Sequence, residues 1–504
     1  MSHDEDESNV VQGEADEAAT DRPRVLVLYD STQTFTNTVA EHLLCLGRLP
    51  GYAVHFCHAR PDSTLPVPLA AFDCVIIHYS VRIAFELLSA ADAWHVSGFK
   101  GLKCLFIQDE YDHTETARSW ITRLGIHVVF TCVAPDRRDW IYPTSRFPDV
   151  TFVSNLTGYV PALLDDLPPP RPLTERTTVI GYRGRELPYW YGRLAREKWT
   201  IGKRMRELCD ARGIRTDIAW DEHARIYGDA WYEFLGSCRS TLGTESGSNV
   251  FDDEGLIRRA IQDDLRRTPS LSFEEVYTAH LDGVEQPGLM NQVSPKIFEA
   301  IALRTVLVLF EGEYSGVVTA GRHYISLRKD FSNVDDVLAQ LGDDQLVMEM
   351  TELAYQDVIA SGRYSYAAFG TFVANTLTSE LRTRRAILVS ASTSHAAPLA
   401  HAVKRRTMTT APVRAVIQRA SAVAPLRSPL PAPVPTAEPG TTSRQAETVA
   451  PSIPDHLFAA PPRGAAHLVR RFLLPVWLVI PELVRSPLRP AVRTVLRVID
   501  GLRA

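Results

Sequence analysis

The sequence predicts an α/β protein made of two doubly wound, Rossmann-like domains that face each other across a cleft. Short apolar runs alternate with stretches of helical period from residue 24 to about residue 378. The runs are apolar throughout rather than at every second position, which marks strands buried on both faces, as in parallel sheets covered by helices. A stretch rich in proline and charge, ALLDDLPPPRPLTERT, divides the series in two.

The first series supplies six strands, RVLVLYD, YAVHFCHA, FDCVIIHYS, KCLFIQDE, HVVFTC and VTFVSN, and defines a domain over residues 23–165. The second, over residues 175–380, supplies TTVIGYRG, RTDIAW, RSTLGT, TVLVLFE and HYISL, with a polar helical insert between the third and fourth. Ligands of such folds bind beyond the carboxyl ends of the strands, so two of them place the site in the cleft between domains. Residues 1–22 are an acidic, disordered leader, residues 390–464 a disordered Pro/Ala-rich linker, and residues 465–504 a basic amphipathic segment.

Charge is divided unevenly along the chain. Residues 381–504 carry a net +13 and residues 1–380 a net −19, so the total of −6 conceals an acidic body and a basic tail. From Arg463 onward there are eight arginines and two acids, with Val492, Val495, Leu496, Ile499 and Leu502 on one helical face. Peripheral contact with an anionic membrane, docking to a partner protein, and neutralisation of the acidic body all fit that segment. Nucleic acid is not expected as a partner, because the arginines alternate with aliphatic side chains rather than with stacking aromatics. The seven cysteines form no CxxC pair and sit in apolar runs, so they read as buried free thiols in a reducing, cytoplasmic setting, free or peripheral on the inner face of the plasma membrane. No signal-peptide pattern opens the chain, and the longest apolar run, FLLPVWLVIP, is half what a membrane-spanning helix needs. GKS/GKT, GxSxG, HExxH and zinc spacings are absent, so ATPase, serine hydrolase and metalloprotease readings lack support, and no metal or cofactor is expected.

Four segments carry candidate chemistry. Gly181-Tyr182-Arg183-Gly184-Arg185 follows a predicted strand, with Lys198 just before the next predicted helix; glycine amides and arginine forks suit a diphosphate, the alternative being an ordinary turn. Between Asn291 and Gly316, Pro295 opens a helix on which Lys296 and Glu299 share a face, and the following strand ends in a loop containing Ser315 and Gly316. A carboxylate there can accept hydrogen bonds from a vicinal diol such as ribose, while loop amides meet phosphate or sugar oxygens; the alternative is a core helix with a surface Glu. Glu245 lies in the polar loop LGTESGSNVFDDEG, positioned to orient a ligand, and Asp252, Asp253 and Glu254 read as a solvated acidic loop before a metal site. In the first domain Asp109, Glu110 and His113 crowd one strand end, where carboxylates and an imidazole could deprotonate a hydroxyl, or where Asp112 or Thr114 merely caps a helix. His78 and Tyr79, and the hydroxyl-rich turn from Tyr29 to Asn37, are weaker candidates.

The segment FEAIALRTVLVLF resembles the donor-binding segment of the retaining nucleotide-sugar glycosyltransferases of the two-domain B type, in which an E-A-x-A-x-G-x-P-V-x pattern follows a Glu-x7-Glu motif. Its bacterial relatives are the group 1 enzymes, and the longer string running on to HYISLRKDFSN is similar to a divergent branch that works on cell-surface polysaccharides. The resemblance implies that Glu299 binds the nucleotide ribose and that Arg183, Arg185 and Lys198 bind the diphosphate. It implies a transfer of sugar from a nucleotide diphosphate sugar, held by residues 175–380, to a saccharide or lipid-linked acceptor, held by residues 23–165. The chain departs from the pattern at Asn291, where the first Glu would stand, and at Arg304 and Val306, where glycine and proline would. An amide cannot supply negative charge beside an oxocarbenium. A non-catalytic scaffold of the same fold and a sugar-nucleotide epimerase are the other readings.

Overall fold

The structure, a computed structural model, describes residues 22–34, 36–162, 167 and 169–394. The acidic leader before Arg22, the Pro/Ala-rich stretch beyond residue 394 and the basic segment 465–504 lie outside the described residues.

All eleven runs form strands; the inner ones are largely buried along their length, whereas edge strands at residues 53–58, 151–154 and 216–219 are partly exposed. The first lobe contains β1 (Arg24–Tyr29), α1 (Asn37–Leu46), β2 (Ala53–His58), β3 (Cys74–Ile77), α2 (Ala90–Gly98), β4 (Leu102–Phe106), α3 (Thr114–Leu124), β5 (Val128–Thr131), α4 (Arg138–Ile141) and β6 (Thr151–Ser154). Its sheet is wholly parallel in the order β2-β1-β3-β4-β5-β6. The second lobe contains β7 (Thr178–Arg183), α5 (Gly192–Asp210), β8 (Thr216–Ala219), α6 (Asp229–Ser237), β9 (Cys238–Gly243), α7 (Leu256–Arg267), α8 (Phe273–His280), α9 (Pro295–Ala302), β10 (Val306–Phe310), β11 (Tyr324–Leu327), α10 (Val334–Gly342) and α11 (Asp344–Ala354). Its parallel sheet runs β8-β7-β9-β10-β11, the same winding as the first. Strand order therefore reverses between β1 and β3 in one lobe and between β7 and β9 in the other, which opens a crevice at each point.

The last helix, α12 (Tyr366–Ser394), corrects the domain boundary expected at residue 380. Tyr366, Phe369, Val373, Ala374 and Leu377 belong to the core of the first lobe, beside Leu46, Tyr52, Cys104 and Phe130. The chain crosses back because α12 supplies the apolar cover that this face of the first sheet otherwise lacks. All seven cysteines are buried free thiols, as the apolar runs around them required.

The insert of α7 and α8 has a small core of its own (Val250, Ile261, Val276, Leu281) and fastens the lobes together. Asp252 N–H donates to Tyr111 O at 2.9 Å and Glu115 N–H to Asp253 O at 3.0 Å. Arg118 pairs with Asp253 at 2.8 Å, and Tyr191 Oη donates to Asp112 at 3.0 Å. Among the described residues, no helix is long and apolar enough to cross a membrane.

Candidate functional site

The crevice of the second lobe gathers three cations. Lys198, on the first turns of α5, donates from Nζ to Ser246 Oγ at 2.8 Å, bridging the ends of β7 and β9 where the strand order reverses. Lys296, in the first turn of α9, donates to the carbonyl of Arg183 at 2.7 Å. Arg185 is exposed on the loop after β7, close enough to Lys198 to depress its pKa. Among the described residues none of these three is in an ion pair. Burial first, then the charge of Lys296, pulls Lys198 down to about 8, with Asp109 opposing. Solvent reaches the Lys296 side chain, yet enough protein surrounds its ammonium that desolvation is the largest cause of a lowered pKa, outweighing the pull of Glu299. Cations that repel one another without a carboxylate between them stabilise a multiply charged anion.

Backbone amides are a second possible source of positive potential, and here one obvious set is closed. The N–H groups of Arg193 and Leu194, which open α5, donate to the Glu285 carboxylate at 3.0 and 3.4 Å. Gly192 makes room for it: a Cβ there would lie 2.6 Å from Glu285 Oε1. The start of α5 is therefore closed to an anion in the crevice.

Glu299 stands on α9, one turn from Lys296, and accepts from Trp231 Nε1 at 2.7 Å. Burial raises its pKa against the opposing effects of Trp231 and Lys296. Among the described residues its other oxygen accepts no hydrogen bond, which leaves an acceptor for a ligand hydroxyl. The first lobe approaches from the opposite side. Glu41 on α1, raised to about 7 by burial, interacts electrostatically with Glu299, and Asn37 donates to Tyr232 Oη at 3.4 Å.

Asp109, just past β4, is exposed and interacts with Lys198 across the crevice. Its backbone is left-handed (φ 53°), and its carboxylate accepts from Tyr111 Oη at 2.8 Å. A strained non-glycine residue that presents a carboxylate towards cations of the other lobe is the arrangement in which functional strain is found.

Four expectations are corrected. Glu110 does not face the cleft: it is buried in the first lobe, accepting from Thr131 Oγ1 (2.7 Å), Cys132 N–H (2.7 Å) and Tyr142 Oη, and burial lifts its pKa to about 7. Its role is to tie the end of β4 to β5. His113 opens α3 with φ 50°, its ring packed on Phe85 and against Gly255 of the insert, where an added Cβ would lie 2.7 Å from the ring. Arg183 turns its guanidinium to the flank, onto Asp217 (2.8 Å) and the Ala224 carbonyl (2.9 Å), over the Phe234 ring, so only its carbonyl reaches the crevice. Gly181 lies inside β7, where a Cβ would collide with Cys238 Sγ; it serves strand packing rather than an anion.

The remaining candidates form one structure around the loop after β10. Glu245 and Asn291 are hydrogen-bonded to each other, Glu245 also accepts from the amides of Glu313 and Tyr314, and Ser315 and Gly316 sit exposed on the loop with φ 55° and 71°. Asp252 accepts from Ile257 and Arg258 amides and so caps α7, and no group of three His, Cys, Asp or Glu among the described residues could hold a metal. His78 is fully buried against His42 (3.0 Å). Trp231 and Ser246 are not among the residues the sequence singles out: an aromatic in a helical pattern reads as core, and nothing local marks one serine of the LGTESGS loop over the others.

No protein-family model and no curated protein matches the chain. Solved structures do. An α-glucosyltransferase in complex with UDP and a 13-mer DNA is 10% identical with a TM-score of 0.43, over 70% of this chain and 98% of that one. T4 phage BGT in complex with UDP-glucose is 12% identical with a TM-score of 0.42, over 70% and 99%. HepE of Anabaena in complex with UDP-glucose is 12% identical with a TM-score of 0.41, over 71% and 99%. The expectation that nucleic acid is not a partner gains no support from these structures, one of which holds DNA.

Proposed function

We propose that this chain is a glycosyltransferase of the two-lobed B type that moves a sugar from a nucleotide diphosphate sugar to an acceptor hydroxyl. One observation carries the reading: Lys198, Lys296 and Arg185, without ion-pair partners among the described residues, converge beside Glu299 at the strand-order reversal of the second lobe. The cations hold the diphosphate and stabilise the charge that builds on it as the glycosidic bond breaks, in the place a metal would otherwise take. The free oxygen of Glu299 accepts from a ribose hydroxyl. The acceptor lies against the first lobe, where Asp109 orients its hydroxyl and takes its proton. Fastening by the insert holds the two reactants at one distance, so positioning supplies part of the acceleration.

The acceptor is a saccharide or lipid-linked saccharide of a cell-surface polysaccharide, met at the cytoplasmic face of the membrane, where the arginine-rich segment 465–504 would bind anionic lipid. The test is the release of nucleotide from a panel of nucleotide sugars, with and without acceptor. A transferase leaks donor to water and is stimulated by acceptor, and Asp109→Asn keeps donor binding while losing transfer. No nucleotide released from any donor would leave the scaffold reading, and interconversion of the donor sugar without acceptor would leave the epimerase.

A further inference from the structure

We propose that Glu245 is the positioning residue of the donor loop, and that Asn291 is a one-way hydrogen-bond relay which obliges residue 245 to be a carboxylate. The inference rests on the proposed donor site and on the expectation that the loop of Ser315 and Gly316 meets phosphate or sugar oxygens, and adds to it the group that shapes that loop.

The relay begins at a backbone amide. Met290 N–H donates to Asn249 Oδ1 at 2.8 Å, Asn249 Nδ2 donates to Asn291 Oδ1 at 2.8 Å, and Asn291 Nδ2 donates to Glu245 Oε2 at 2.5 Å. From the other side, the amides of Glu313 and Tyr314 donate to Glu245 Oε1 at 3.1 and 2.9 Å. Both ends of the chain are backbone N–H groups, which can only donate. A side-chain amide accepts on one side and donates on the other, so it passes polarity along without reversing it. Two inward-pointing donor ends joined by amides require one member that accepts on both sides, and in this chain that member is Glu245.

Burial sharpens the requirement. Glu245 and Asn249 are each 4% exposed, Asn291 between them is half-buried, and no cation pairs with Glu245 among the described residues, so a mismatch costs most at the two buried members. The loop they hold does not rest in a relaxed conformation: Tyr314 and Ser315 have φ of 49° and 55°. Gly312 admits the clamp, since a Cβ there would lie 2.8 Å from the Glu245 carboxyl carbon. Ser315 Oγ accepts from Val293 N–H at 3.0 Å, a second tie to the same segment. On the far side Ser246, the next residue, exchanges backbone hydrogen bonds with Gln292 and receives Lys198. Glu245 thus fixes the loop and the lysine partner in one register.

The logic predicts which pair of changes compensates. In Glu245→Gln, a donor faces a donor wherever the amides turn. In Asn291→Asp, two carboxylates meet. In the double variant, the carboxylate introduced at position 291 accepts from both Asn249 and the new glutamine, whose oxygen still receives the two loop amides, and every group is satisfied. Hydrogen exchange of the Glu313 and Tyr314 amides and the affinity for UDP, GDP, CDP and dTDP are measured in the full chain. Each single variant should lose protection at both amides and weaken whichever nucleotide binds by about tenfold or more. The double variant should regain protection and come within a few-fold of the original affinity. Single variants that keep protection, or a double variant as impaired as the two singles combined, would overturn the proposal. Loss and rescue of protection with no change in nucleotide affinity would uphold the relay and remove the donor reading of the loop.

Discussion

Lys198 carries its charge into the crevice with a pKa brought down to about 8, by burial and by Lys296. On the proposed reading the charged form binds the diphosphate; it predominates well below pH 8 and is lost as the pH rises through about 8. The kcat/KM for the nucleotide sugar should fall across this range, and Lys198→Arg, which stays charged, should remove the fall even if it lowers the plateau. A profile flat to pH 9.5 would detach Lys198 from the donor. At this scale the sequence is readable where chain geometry alone decides: Lys296 and Glu299, three apart on one helix, do share a face, and Lys198 does lie at the crevice. It is not readable where a distant partner decides. Nothing near Arg183 announces Asp217 and Phe234, which draw its guanidinium aside, and nothing near Glu110 announces Tyr142 and Thr131, which take it inside.

Among the elements, β7 and β9 are neighbours in one ladder, and Gly181 leaves the face of β7 open for the side chains of Cys238 and of Phe234 on α6. An added Cβ would collide with Cys238 Sγ and meet the Phe234 ring at 3.1 Å. Gly181→Ala should destabilise the chain by about 1–3 kcal/mol through overpacking, and adding Cys238→Ala should recover part of the loss. Denaturant unfolding of the single and double variants checks this; equal stability of Gly181→Ala and the original chain would show that the packing of Cys238 and Phe234 on β7 has room to spare. The eleven strands are legible because a buried parallel strand has a plain signature of continuous apolar residues. The glycine in GYRGR is legible too, but its use is not: a missing side chain can admit a ligand or a neighbouring strand, and only the partner across the sheet distinguishes them.

Over the whole molecule, the two lobes depend on each other. The helix that ends the described chain belongs to the core of the lobe that begins it: Phe369 stacks on Tyr159 at 4.4 Å and meets the rings of His42 at 5.0 Å and Phe106 at 6.1 Å. Phe369→Ala should therefore cost about 3–5 kcal/mol, lost by the first lobe although residue 369 follows the second in sequence. Hydrogen exchange in β1, β3 and β4 would register it, whereas weakened protection confined to β7–β11 would refute the crossing. The apolar pattern alone ends the second domain at residue 380, since an apolar stripe on a helix does not say which sheet it covers. The fastening of α3 to the insert is equally invisible in sequence, because Asp252 and Asp253 look like a solvated acidic loop until Tyr111 and Arg118 are brought to them.

On the proposed reading three cations and one carboxylate of the second lobe grip a single nucleoside diphosphate. The decisive measurement is calorimetric titration with UDP, GDP, CDP and dTDP, repeated on Lys198→Met and Glu299→Ala. Saturable binding of at least one nucleotide is expected, weakened in each variant by about tenfold or more through the loss of a charge-assisted hydrogen bond. Binding that neither substitution alters, or no binding of any of the four to the original chain, would contradict it.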